Sequence, residues 1–218
     1  RKGAVAAVLG ILLYTVLVGA TPAVVRAAIM GGLAIFARQL GRRQNGLITL
    51  SFTAAVMALI NPQVLWDVGF QLSFAATLGL ILYAQPLEDW AVRLVSRFVV
   101  SEKAKKIAGI ISATLLFTLA AQLTTLPLMA YHFGRISLIA LIANPFILPV
   151  QPAVMVLSGL ALLLSFIYLP LGKAFAWIAW PFAAYTNRAV EFFDKFPYGN
   201  IVLGEFSLLF VVLFYLLL

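Results

Sequence analysis

Apolar runs without charge recur along this chain, and they restrict its fold more than any other feature. Gly3–Gly19, Leu47–Ile60, Val68–Ala84 and Ile136–Leu169 contain no Asp, Glu, Lys or Arg. Ile107–Phe133 carries one basic side chain, His132. A bilayer core about 30 Å thick is crossed by about 20 apolar residues in a helix. In lipid the backbone must satisfy its own hydrogen bonds, which leaves helices and closed barrels. Barrel strands would show alternating segments of about ten residues, and these runs do not alternate. Charged residues make up 10% of the 218 positions, against about 25% in soluble domains, and the mean hydropathy is +1.08. The class is all-α: a polytopic transmembrane helical bundle.

The breaks between runs give the organisation. Thr21-Pro22 suits an N-cap and first helical position, so a helix spans Pro22 to Ala37. It ends at a loop with Arg38, Arg42 and Arg43. Asn61-Pro62 ends the third run, since a residue before proline disfavours the helical region. Between Gln85 and Lys106, residues Leu87, Trp90, Ala91, Leu94, Val95 and Phe98 fall on one helical face. Asp89, Arg93 and Arg97 fall on the other. The segment 85–106 reads as a cytoplasmic amphipathic helix lying in the membrane interface. Ile136–Leu169 is too long for one ordinary span and is cut by Pro145, Pro149 and Pro152, so a short or broken helix precedes a fuller one. Ala174–Phe193 and Ile201–Leu218 complete about seven to nine membrane segments in a single domain over 1–218. The chain starts at Arg1 without Met and stops in Leu-Leu-Leu, and reads as a region of a longer protein. It has no Cys, which excludes disulfides and thiolate metal sites.

Orientation follows from the basic loops. Arg1, Lys2, Arg38, Arg42, Arg43, Arg93, Arg97, Lys103, Lys105 and Lys106 account for ten of the fifteen Lys and Arg residues. Alternating the first four spans puts all ten on one side, which the positive-inside rule makes cytoplasmic. Asn61, Asp67, His132 and Arg135 then sit at the outer mouth. The net charge of +8 mostly reports those loops, with a polyanionic partner as the sharper reading.

The polar groups inside the apolar runs carry the functional question. Asp67 and Gln71 share a helix face that continues to Ala75 and Gly79. This stripe admits two readings: a lining for a water-filled path, or small residues for close helix packing with Gln71 bonding a neighbour. Asp67 also suits an N-cap. Thr114, Thr118, Gln122, Thr125, Met129 and His132 lie within about 80° of arc at 100° per residue. Pro127 should kink the helix beside them, although threonines in membrane helices often bond their own backbone. Arg26 either snorkels to the outer end, lines a cavity or pairs with Asp67. Asn144-Pro145 marks a broken helix or an ordinary proline kink. The candidate path is Gln71, Ser73, Ala75, Gly79, Thr118, Gln122, Thr125, Asn144 and Arg26. No HExxH, P-loop or GxSx motif occurs, so no catalytic residue, metal site or cofactor is expected.

Four stretches carry a family resemblance: TPAVVRAAIM (21–30), NPQVLWDVGFQLSFAATLG (61–79), AAQLTTLPLMAYHFGRIS (120–137) and LIANPFILPV (141–150). In this order they resemble the competence domain of the ComEC family, the inner-membrane channels of bacterial natural transformation. The resemblance implies a multi-pass protein of the bacterial inner membrane that passes single-stranded DNA into the cytoplasm. It implies a DNA receptor and a helicase-like ATPase as partners, besides membrane lipid. Family members also carry an OB-like and a metallo-β-lactamase-like domain, so any nuclease activity the family implies lies outside this chain. From the residues alone, a secondary transporter of small solutes remains the alternative, because broken helices and midplane polar groups serve it equally.

Overall fold

A computed structural model describes residues 2–95, 102–196, 200–202, 204 and 207–218. The fold is helical. The helices are α1 (Lys2–Leu17), α2 (Pro22–Gln39), α3 (Gly46–Ile60), α4 (Val68–Val95), α5 (Glu102–Phe133), α6 (Ile139–Ile147), α7 (Gln151–Ile167), α8 (Leu169–Asp194) and α9 (Leu208–Leu217). Short 3-10 turns at Pro62–Trp66 and Leu148–Val150 lead into α4 and α7. Several prolines fall where the backbone tolerates them, while Pro86, Pro127, Pro145 and Pro181 lie inside helices. Pro22, Pro62, Pro149 and Pro152 sit in first turns, where their missing N–H is an orphan in any case.

By length and composition, three described stretches reach an ordinary membrane span: Val68–Trp90, Thr114–Phe133 and Ile139–Ile167. Gly3–Leu17, Gly46–Ile60 and Leu208–Leu217 are apolar but shorter. Of the expected seven to nine segments, these three reach full length among the described residues, and several other runs end in turns before reaching about 20 residues. Two boundaries also differ. α4 continues without a break through Gln85 to Val95, and Lys103, Lys105 and Lys106 belong to the first turns of α5. A helix beginning at Gln85 is absent because Pro86 is absorbed within α4. Arg1, Arg97 and Phe98 lie outside the described residues. Ile201 and Val202 do not begin a final span. They form β2 (Asn200–Val202), antiparallel to β1 (Arg135–Ser137), with Ile136 opposite Ile201.

The chain divides into two compact units. The first holds Arg1–Pro86, Ala120–Phe133 and Ser207–Leu218, and the second Leu87–Leu119 and Gly134–Phe206. In the second unit α7 and α8 form a hairpin. Gly172 allows it: a Cβ there would fall 2.7 Å from the Ser165 Cα. In the first unit the buried apolar residues include Leu50, Met57, Phe70, Ala120 and Ala130. Large apolar side chains are also exposed, with Trp66 82% and Val16 75% exposed; in the second unit Ile167 is 82% and Trp177 76% exposed. So many exposed bulky apolar residues depart from the soluble pattern and suit a lipid surround.

Candidate functional site

The polar groups of the first unit collect on two faces of α4. One face meets α5. Gln71 Nε2 donates to the Leu65 carbonyl at 2.9 Å, and its Oε1 lies 2.8 Å from His132 Nε2. With the amide so oriented, the His132 Nε2 carries the proton and donates it. One turn along, Thr124 Oγ1 donates to the Ala75 carbonyl at 2.7 Å. One turn further, Gly79 is buried beneath α5: a Cβ there would lie 2.3 Å from both the Ala120 carbonyl oxygen and Thr124 Oγ1. Pairing 71 with 132, 75 with 124 and 79 with 120 runs the two helices antiparallel. Tyr215 of α9 donates to the Thr124 carbonyl, which ties a third helix to this seam.

Of the two readings the stripe admits, the geometry selects packing for Ala75 and Gly79. Their lack of bulk is used to bring α5 against α4, so they are corrected from path lining to seam. The Gln71 amide is likewise committed to Leu65 and His132. Thr125 and, in the second unit, Thr118 are buried, and their hydroxyls donate to Ala121 and Thr114 of their own helix. Gln122 is half-buried on α5.

The second face of α4 carries Ser73 and Thr77, about 200° round the helix from Gln71. Thr77 Oγ1 donates to the Ser73 carbonyl at 2.9 Å and accepts from Arg26 Nη1 of α2. Arg26 Nε and Ser73 Oγ are buried and find no hydrogen-bond partner among the described residues. Thr77 lies near the middle of the Val68–Trp90 stretch, and Arg26 reaches it from the second turn of α2. This corrects one expectation for Arg26. It does not pair with Asp67, which lies about 15 Å back along α4 at 1.5 Å per residue.

Two of the four proposed mouth residues are caps. Asp67 Oδ1 accepts from the Phe70 N–H at 2.8 Å, and Asn61 Oδ1 from the Gln63 N–H at 3.1 Å. Each satisfies an orphan donor at a helix start. Phe70 is buried against Phe74, with ring centroids 4.1 Å apart. In the second unit, Arg135 is exposed on β1. Asn144 lies inside α6 and lines a cavity of about 230 Å³ with Ser137, Ile147, Phe193 and Asp194. Sequence reasoning missed Thr77, Thr124 and Tyr215. The four-residue step from Ser73 to Thr77 was a signal for the first; nothing local marked the others, whose partners are remote in sequence.

Compared with known proteins, residues 1–218 match the Competence protein family throughout. The chain belongs to the Competence protein family. It is similar to the ComE operon protein 3 of Bacillus subtilis (strain 168), with 31% identity over 149 residues. That match covers 68% of this chain and 17% of the relative, so the chain spans a minor part of that protein's length. No solved structure matches it. Family membership and the apolar helices together make this competence chain a membrane protein.

Proposed function

We propose that this chain builds part of a multi-pass conduit in the bacterial inner membrane that passes single-stranded DNA to the cytoplasm during natural transformation. The observation that carries the reading is the buried cluster of Arg26, Thr77 and Ser73 in a chain of the Competence family. Intramembrane ionisable groups are rare and mark pathways for ions or substrates. Half-buried Gln122 of the first unit is offered as a further path residue.

A polyanion imposes conditions. Moving one charge through 100 mV is worth about 2.3 kcal/mol, and an inside-negative potential opposes every phosphate. The conduit therefore works with a motor, for which a helicase-like ATPase partner is proposed, and receives its strand from an outer DNA receptor. A lining of amides, hydroxyls and a single cation holds phosphates weakly, whereas a dense basic groove would trap them. Strand cleavage is assigned outside this chain.

The test is transformation with labelled DNA in cells carrying Gln122→Leu in the intact protein. DNA entry should fall several-fold while externally bound duplex and the amount of protein in the membrane stay constant. Entry equal to wild type removes Gln122 from the path. Uptake of labelled small solutes, with no strand entry through the wild-type protein, favours the transporter instead.

A further inference from the structure

Arg26 is the least compensated buried charge in the first unit. A buried charge is costly unless it is paired and hydrogen-bonded, and within a membrane an arginine is ordinarily paired. Here pairing within the unit is not available. The sequence of the first unit contains one acidic side chain, Asp67, and its carboxylate caps α4. The guanidinium is tied to Thr77 through Nη1, while its Nε is buried and unpartnered among the described residues. Ser73, one turn from Thr77 on the same face, presents a second buried hydroxyl without a partner among them. A planar fork of donors and an adjacent hydroxyl are the groups that take an oxyanion. The uncompensated charge requires that ligand to be anionic.

We propose that Arg26, Ser73 and Thr77 form an oxyanion subsite that holds one phosphodiester of a passing strand. The identity of the ligand rests on the conduit reading; the geometry does not. Arg26 binds the phosphate oxygens through its fork, Ser73 donates a further hydrogen bond, and Thr77 positions the guanidinium. A single cation lets the strand advance from phosphate to phosphate without arrest.

The experiment uses the intact protein in nanodiscs, with a fluorescent thymidine dodecamer as probe. A second dodecamer has the same bases and an uncharged methylphosphonate backbone. Arg26→Gln should weaken binding of the phosphodiester probe about tenfold, the size of a lost charge-assisted hydrogen bond, and leave the methylphosphonate probe unchanged. Arg26→Lys should retain part of the affinity, and Ser73→Ala should lose several-fold. Equal weakening for both backbones means that Arg26 only ties α2 to α4, and overturns the subsite. So does binding by Arg26→Gln equal to wild type. If the wild-type protein neither binds nor imports the strand, the conduit reading falls. The subsite is then judged by inorganic phosphate binding to the same nanodiscs. Loss of that binding in Arg26→Gln upholds an oxyanion site, and unchanged or undetectable binding removes it.

Discussion

Asp67 shows how one side chain decides between roles. Its carboxylate accepts the Phe70 N–H at the start of α4, so its shape should matter more than its charge. Asp67→Asn keeps the acceptor and should leave stability nearly unchanged. Asp67→Ala should cost about 0.5–2 kcal/mol. Thermal unfolding of the purified protein, followed by tryptophan fluorescence, separates the two variants. Equal loss in both would mean that the charge, not the cap, is what α4 uses. The cap was legible in the sequence because Asn61-Pro62 and Asp67 precede apolar helices, and capping is a local transaction between near neighbours. The partner of Arg26 was not legible. Thr77 is brought to it by the packing of α2 on α4, over a separation of 51 residues.

At the scale of the element, α4 is a helix with two polar faces and two purposes. The Gln71–Ala75–Gly79 face is zipped to α5, and the Ser73–Thr77 face meets Arg26. Gly79→Ala tests the first. The added methyl would meet the Ala120 carbonyl oxygen and Thr124 Oγ1 at 2.3 Å, and backbone cannot yield as a flexible side chain does. Overpacking of this kind costs typically about 1–3 kcal/mol. A lower unfolding temperature and less protein in the membrane are the expected readouts; a variant as stable as wild type would mean that the helices are less close. The periodicity located the Gln71 stripe correctly, since spacing by four fixes a common face. It could not say what that face meets. A row of small residues looks the same whether it borders water or another helix. Only the Thr124 hydroxyl on the Ala75 carbonyl distinguishes the cases.

At the scale of the whole molecule, bulky apolar side chains make up much of the exposed surface. Trp66, Val16, Ile167 and Trp177 remain at least three-quarters exposed. Such a surface requires lipid or detergent, so the protein should stay with membranes through high salt and alkaline carbonate and leave them only in detergent. Release by carbonate, scored by fractionation and immunoblot, would contradict a membrane-integral chain. By itself the sequence determined the helical class, the membrane surround, most helix starts and which residues share a face. Those follow from local hydropathy, caps and the 3.6-residue period, all read over a few turns. The tertiary structure alone decided that Ala75 and Gly79 form a seam, that Gln71 bonds His132, that Ile201 and Val202 pair as a strand, and that Arg26 lies beside Thr77. Each of these depends on which helix or strand a given face meets, and in a bundle of similar apolar helices that choice rests on remote partners that local pattern does not specify.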